Sequence, residues 1–447
     1  MKKFFPLALF CFLFSLSASL KAAEPTLHIL EGGIPYTGFM PLDISSNGKY
    51  ICGSTFLGPI FVADWQKGEI RTPGTSIEEQ KAISGELRSI TDSGFCVGLG
   101  PTYDWATDAL GYTRTADITQ RIRGGLTDAI SNDGSIITGL AYIQDDPLYY
   151  AAYWENGNAH LLPVPTEEET GWRIYGSRAR FISDDGNIIA GYMTDRLSTF
   201  PLIYWTRTDD GSYEMHPVFL DYFCDSKVHD KPYFRFSPQA MSPDGQWIAL
   251  STMESTTTGY FTEPNILALY HIPTGEMKKI AIDGNHGIPR DIIRLQVWDH
   301  GIANDGTIVG WFEDRGGRFP FIVFPEELVA RAFTDAFPTI DNFFAYDEIG
   351  DDAVSCISAN GRYVGGCAWI LSEEYDMGYY EAYVLDTGRN ISPDDDEAEK
   401  SGVSDILPDP DAAPEYYDIA GHRLNAPVRG INIVRMSDGT TRKVIIK

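Results

Sequence analysis

The sequence predicts an all-β fold: a seven-bladed β-propeller, with six or eight blades as the alternatives, plus a short C-terminal β-extension. Three observations carry this. A six-residue pattern recurs seven times. A second glycine follows six of the copies at a nearly constant distance. Each copy is then followed by an apolar run that usually ends in an aromatic residue.

The pattern is a leading residue, Ile or Met, Ser/Thr/Ala, any residue, Asp/Asn/Ser, then Gly. The copies are DISSNG (43–48), SITDSG (89–94), AISNDG (129–134), FISDDG (181–186), AMSPDG (240–245), GIANDG (301–306) and CISANG (356–361). The Ile belongs to one strand and the residues after Gly to the next. Gly48, Gly94, Gly134, Gly186, Gly245, Gly306 and Gly361 supply the positive-φ turn that two twisted strands need. The second glycines are Gly53, Gly98, Gly139, Gly191, Gly310 and Gly365, with Leu250 in the fifth copy. Their position suits a crowded place where backbones approach closely.

The third strands are expected at the apolar runs ending in Trp65, Tyr112, Trp154, Trp205, Tyr270, Phe324 and Leu385. Several are followed by a Gly-bearing turn and a fourth short run. The turn glycines are 46, 40, 52, 59, 61 and 55 residues apart. That spacing suits four-stranded blades. Residues 24–31 (EPTLHILE) are expected to supply the outer strand of the last blade and so close the ring. Helical spacing of Leu328, Val329, Ala332, Phe333 and Phe337 after Pro325 predicts a helix over 324–337, with a weaker case at 76–87.

Two stretches, GIANDGTIVGWFEDRGGRFPFIVF and AISNDGSIITGLAYIQDDPLYYAAYWENGNAHLL, resemble the HAF-type extracellular repeats of secreted bacterial proteins. The element Ser242-Pro243-Asp244-Gly245 is similar to that of the WD40-like repeats of the TolB type. The resemblance covers roughly 41–392 and implies a β-propeller. It implies no catalytic residue, because the motif contains none.

The ends of the chain carry other signals. Residues 1–23 join a basic start (Lys2, Lys3) to an apolar run from Phe4 to Leu20 and then Ala22/Ala23, as in a secretory signal peptide. No other stretch reads as a membrane helix. The propeller is then expected over 24–392, an acidic Pro-rich linker over 393–414, and a β-segment over 415–447. That last segment resembles the C-terminal sorting tails of Bacteroidetes type IX secretion. The matching residues are Tyr417-Asp418-Ile419, Gly421-His422-Arg423, Gly430-Ile431 and the ending Lys443 to Lys447. Asn432 departs from the family's usual aromatic. The resemblance implies export to the cell surface or medium, with the periplasm an alternative.

Composition bounds the partners. The 447 residues hold 63 Asp+Glu against 35 Lys+Arg, a formal net charge of −28. Such a balance disfavours nucleic acid and anionic lipid, both of which demand Lys/Arg patches. Five cysteines lie beyond residue 23. They show no zinc-type spacing and read as small core residues.

No G-x-S-x-G elbow, HExxH or P-loop occurs, and no G-x-G-x-x-G follows a strand. No catalytic residue, metal ligand or cofactor is therefore assigned. His28, His160, His216, His271 and His300 fall in or beside strands and read as structural. The long loops joining second to third strands, and one blade to the next, should share one face, opposite the Asp-Gly turns. Their candidates are Tyr103, Asp104, Trp105, Asp145, Asp195, His229, His286, Glu313, Asp314, Glu373 and Tyr375. Aromatic platforms with acids suit a protein or glycan partner. The expectation is an exported binding or scaffold protein without catalysis. The alternative is a propeller-type glycoside hydrolase or lyase with an acid pair on that face.

Overall fold

The structure is a computed structural model. It describes residues 24–389 apart from 31–38, 56–59, 73–84, 113–121, 171–172, 195–201, 219–226, 229–230, 233–235, 253–266, 283, 290–291, 293, 315–316, 341–349, 352 and 373–376, together with short strands within 415–446. The chain divides into two compact units, Met1–Ile391 and Ser392–Lys447. No helix among the described residues is long and apolar enough to cross a membrane.

The first unit is a seven-bladed β-propeller. Seven sheets follow one another, each with four antiparallel strands ordered from inner to outer, and in blade 6 Gly350–Asp351 adds a short parallel pairing to Gly317–Val323. Their inner strands are Phe39–Ile44, Leu87–Ile90, Ile122–Ile130, Gly176–Ile182, Phe236–Met241, Arg294–Gln296 and Ala353–Ile357, which open blades 1 to 7. The last blade is completed by the N-terminal strand Thr26–Ile29, which pairs antiparallel with Met377–Asp386, Thr26 opposite Asp386 and Ile29 opposite Tyr383. The ring thus closes as expected from residues 24–31.

The repeated pattern has a local chemical cause. In blade 3 the Ser131 hydroxyl donates to Asp133 Oδ1 (2.7 Å) and accepts from the Ile136 amide (3.1 Å), while Asp133 Oδ1 also accepts from the Ser135 amide. The same set recurs at Ser45/Asn47, Ser183/Asp185, Ser242/Asp244 and Ser358/Asn360. Ser and Asp/Asn therefore satisfy the backbone of a tight turn. All seven closing glycines lie between φ +70° and +88°.

The second glycines have a different cause. The inner strand carries a one-residue bulge in blades 1 to 5 and 7, immediately before the repeated pattern. A methyl group on Gly53, Gly98, Gly139 or Gly191 would overlap the inner-strand carbonyl of Met40, Glu86, Leu126 or Arg178. These glycines let the second strand lie against the bulge. Gly98→Ala is accordingly expected to lower stability by about 3 kcal/mol, read as a shift of the urea midpoint at unchanged slope.

Blades pack through apolar faces. Ile51, Phe61 and Ala63 of blade 1 cluster with Tyr363, Ala382 and Val384 of blade 7. Cys52, Cys96, Cys356 and Cys367 are buried free thiols, and Cys224 lies outside the described residues. Strand histidines stack on aromatics: Tyr153–His160 and Tyr204–His216 are cross-strand pairs with ring centroids 4.8 Å apart.

Two expectations need correction. Residues 324–337 do not form one helix. A turn with Leu328 at φ +55° leads into the strand Ala330–Ala332, and only Phe333–Ala336 is helical. Blade 6 needs a fourth strand, and Ala332 pairs with Phe321 to supply it. The weaker helix at 76–87 lies mostly outside the described residues, and Leu87 begins a strand. In blade 2 the third strand is Pro101–Asp104, and the run ending in Tyr112 is the fourth. Gly100, at φ +104°, turns the chain directly from the second strand into Pro101.

The second unit, taken by itself, holds a sheet of four antiparallel strands: Glu415–Tyr417, Arg423–Leu424, Gly430–Arg435 and Thr441–Ile446.

Candidate functional site

The repeat aligns the inner strands in register, so equivalent positions form levels around the central channel. The outermost level is a ring of turns. The Asn47 amide donates to Asp92 Oδ1 (2.8 Å), and the Asp92 amide donates to Asn132 Oδ1 (2.7 Å). The amides of Asn132 and Asp184 donate to the carbonyls of Asp184 and Pro243. The Asp244 amide donates to Asn304 Oδ1 (2.9 Å). The amides of Asn304 and Ala359 then donate to the carbonyls of Ala359 and Ser46, which returns the ring to blade 1. The variable residue of each copy thus accepts a hydrogen bond from the blade before it.

Beneath lies an apolar collar, the Ile/Met of all seven copies: Ile44, Ile90, Ile130, Ile182, Met241, Ile302 and Ile357. At the collar is a cavity of about 30 Å³, whose polar lining comes from both sides of it: Asp43, Ser89, Asp299 and His300 on one, Ser46, Asn132 and Asp184 on the other. That is room for about two water molecules.

The next level is set by the residue just before each copy: Leu42, Arg88, Asp128, Arg180, Gln239, His300 and Ser355. A bulge re-aims the side chain it carries, and four of these seven are ionisable. Asp128, 1% exposed, accepts from Arg178 through both carboxylate oxygens and from Arg88 Nη1 (3.1 Å). Arg88 Nη2 also pairs with Glu86 (2.8 Å). Arg180 of blade 4 pairs with Asp299 of blade 6, and His300 Nδ1 lies 3.2 Å from Asp43 of blade 1. Neither pair joins neighbouring blades, so both cross the channel.

Electrostatics differ along it. Burial drives the Asp43 carboxyl well above the usual carboxylate range, against the hydrogen bond from the Ile90 amide. Burial also lowers His300 to about 4, opposed chiefly by Asp299. His300 is therefore neutral at pH 7, and its contact with Asp43 is a hydrogen bond rather than an ion pair. Asp299 lies below its ordinary value: burial raises it, but Arg180, His300 and Arg88 together outweigh that.

Asp184, in the turn ring, is pushed up to about 6, first by burial. A hydrogen bond from Ser46, across the ring, works against this, while Asp92, Asp185 and Asp244 add to it. The folded chain thus holds this proton more tightly than the unfolded chain. The resulting stability is complete below about pH 4 and is lost as pH rises through 6. Asp184→Asn, which keeps a hydrogen-bonding head without the charge, should stabilise the protein at pH 7.5 by up to about 3 kcal/mol and have little effect at pH 4. Thermal melts of both proteins across pH 4–8 check this; equal differences at both ends would contradict it.

The predicted face residues are only partly brought together. Asp145, exposed at φ +62°, sits in the second-to-third strand turn of blade 3. Glu313 and Asp314 end the second strand of blade 6, with Glu313 opposite Arg318 in the hairpin. These lie at the expected end of their blades. Tyr103, Asp104 and Trp105 do not. Tyr103 is buried in the third strand of blade 2, with its hydroxyl donating to Asp108. Trp105 is buried in the same cluster, and Asp104 caps the Ala106 amide (3.0 Å). They belong to the turn between third and fourth strands, on the side of the Asp-Gly turns. His286 is half-buried beside Arg331 and Asp335 of the outer part of blade 6. Asp195, His229, Glu373 and Tyr375 lie outside the described residues.

The sequence reading missed Asp43, Arg88, Asp128, Arg178, Arg180 and Asp299, and it set His300 aside as structural. The available signal was the ionisable side chain just before four of the seven copies, on strands otherwise buried. Among the described residues, no group of three or more His, Cys, Asp or Glu is arranged to hold a metal ion.

Comparison with known proteins assigns no role. No protein-family model matches the chain, and no curated protein matches it. Among solved structures it is similar to an oligogalacturonate lyase from Vibrio parahaemolyticus, at 12% identity and TM-score 0.45, covering 80% of this chain and 93% of that one. It is similar to a putative TolB from Agrobacterium tumefaciens, at 15% identity and TM-score 0.33, covering 57% and 87%. An oligogalacturonate lyase in complex with manganese matches at 10% identity and TM-score 0.40, covering 81% and 90%. At these identities and scores no residue role passes from them to this chain.

Proposed function

We propose that the chain is an exported β-propeller that binds a protein or glycan partner through the face carrying its second-to-third strand and inter-blade loops, without catalysing a reaction. One observation carries this reading. Along the inner strand of blade 3, exposure runs from 6% at Ile130 through 1% at Asp128 to 37% at Leu126. This inner strand is thus buried toward the turn ring and exposed toward the loop end. A rigid scaffold presenting long loops at that end is suited to recognition. The signal-like start over 1–23 and the sorting-like tail over 415–447 support a location outside the cytoplasm. Full-length protein should retain particular glycans on an array, or particular partners from an outer-membrane fraction, at micromolar affinity. Steady turnover of a polysaccharide or peptide library would sink the reading.

A second reading, a carbohydrate-active hydrolase or lyase, is favoured by the opposed shifts of Asp43 and His300 beside one cavity. It requires turnover that Asp43→Asn abolishes while the fold, followed by far-UV circular dichroism, persists.

A further inference from the structure

Four buried cysteines lie in three contiguous blades: Cys356 and Cys367 in blade 7, Cys52 in blade 1 and Cys96 in blade 2. Two of them share one cluster. Cys52 and Cys96 are both fully buried among Tyr50, Ile60, Leu87 and Tyr103, at the boundary between blades 1 and 2. The Cys52 thiol reaches across that boundary to the Leu87 carbonyl (3.7 Å) and is in hydrogen-bonding contact with the Cys96 thiol. Cys356 belongs to the cluster between blades 7 and 1, and Cys367 to another.

The repeat shows what these positions hold elsewhere. Cys52 stands one residue before the second glycine of its copy, and Cys96 two residues before. The same two places meet across other boundaries. Ala190 of blade 4 clusters with Ile248 of blade 5, and Ala249 of blade 5 with Ile308 of blade 6. A small side chain from one blade thus faces an isoleucine from the next. Isoleucine takes the place of Cys96 in five other copies, as Ile51, Ile137, Ile189, Ile248 and Ile308. Between blades 1 and 2 the aliphatic contact is replaced by two sulfurs. A single cysteine there would be a small core residue; two in mutual contact are one oxidation away from a bond.

That oxidation is an exchange with an external disulfide. One protein thiolate attacks it and releases the first leaving thiolate, and the second attacks the resulting mixed disulfide and releases the other. Two protein thiols and one external disulfide become one protein disulfide and two external thiols. Two electrons pass to the external sulfurs, and the two protons end on the released thiols. Burial pushes the Cys52 thiol well above its ordinary range. Little of its thiolate exists once the blades have packed, and the reaction needs thiolate and access. The exchange therefore belongs to folding, and the closed ring afterwards seals its product.

We propose that Cys52 and Cys96 form a disulfide that staples blade 1 to blade 2, made by thiol–disulfide exchange while the chain folds outside the cytoplasm. This rests on the reading of the chain as exported, since an oxidising compartment supplies the external disulfide.

The test refolds the full chain from urea at about pH 8 in two buffers, one with oxidised and reduced glutathione and one with excess dithiothreitol. Thiols titrated in denaturant should number two fewer after the glutathione refolding. Mass spectrometry of the unreduced digest should show the Cys52 and Cys96 peptides joined. The oxidised protein should melt several degrees above the reduced one. Dithiothreitol should leave the bond intact in native protein and remove it in urea. Cys52→Ala/Cys96→Ile, which rebuilds the contact of Ala190 with Ile248, should fold and abolish the differences in thiol count and melting. Cys96→Ala provides a second variant if that pair does not fold. Equal thiol counts in the two buffers, or a link from either residue to a different cysteine, overturns the proposal. So does a native bond that dithiothreitol reduces as fast as the unfolded one. The refolding brings its own oxidant, so its failure is read separately from a failure of export or of partner binding.

Discussion

Asp128→Ala is expected to destabilise the propeller by about 3–5 kcal/mol, the usual cost of removing one member of a buried ion cluster. Asp128 is the shared acceptor of Arg178 and Arg88, which reach it from blades 4 and 2 while it sits on blade 3. Its loss leaves two guanidinium groups facing each other in a partly desolvated channel. The penalty is therefore mostly that of uncompensated charge rather than of missing contacts. A cycle with Arg178→Met separates the two: the double variant should recover part of the loss, because one of the stranded cations is gone. Urea unfolding of the four proteins is the measurement. A single-variant loss below about 1 kcal/mol would mean that the cluster is effectively solvated.

Deleting residues 24–30 should cost about 4–6 kcal/mol and make the protein self-associate beyond the state of the parent. The strand removes a four-residue ladder from blade 7 together with the hydrogen bond from the Leu30 amide to the Ala382 carbonyl (2.9 Å). It also removes buried Leu30, and Leu27 and Ile29, which pack on the apolar cluster of blades 6 and 7. Aliphatic burial and hydrogen bonds of ordinary strength sum to that size. The strand Met377–Asp386 would then be an unpaired edge, the kind of surface on which chains add to one another. Calorimetry and size-exclusion chromatography together check this. An unchanged elution volume and melting temperature would show that blade 7 stands without its closing strand.

How much of this was legible depends on where the physical constraint is local. The turn glycines, the Ser and Asp/Asn beside them and the second glycines are dictated by backbone geometry within a few residues. Each was readable, and so was the blade count. The third strand of blade 2 was not. Its four residues, Pro101–Asp104, begin with proline and carry two polar side chains, whereas the run ending in Tyr112 looks apolar. Register with the second strand, not hydrophobicity, decides the matter. At 324–337 the spacing of Leu328, Ala332 and Phe333 fits a helix, but a blade lacking its outer strand overrides it. The channel charges escaped for another reason. Arg180 and Asp299 are 119 residues apart, and nothing in either segment signals the other. Only the closed ring makes them partners.

Those crossing contacts also say why there are seven blades. Arg180 to Asp299 spans from the fourth blade to the sixth, His300 to Asp43 from the sixth to the first, and Ser46 to Asp184 from the first to the fourth. They are chords of one circle, and they form a triangle inside it. A chord has a fixed length when the atoms at its ends must stay within hydrogen-bonding reach. Inserting an eighth blade would enlarge the diameter and pull all three apart. Removing one would drive the same side chains into each other. The repeated turns would permit any number of copies; the triangle measures the ring.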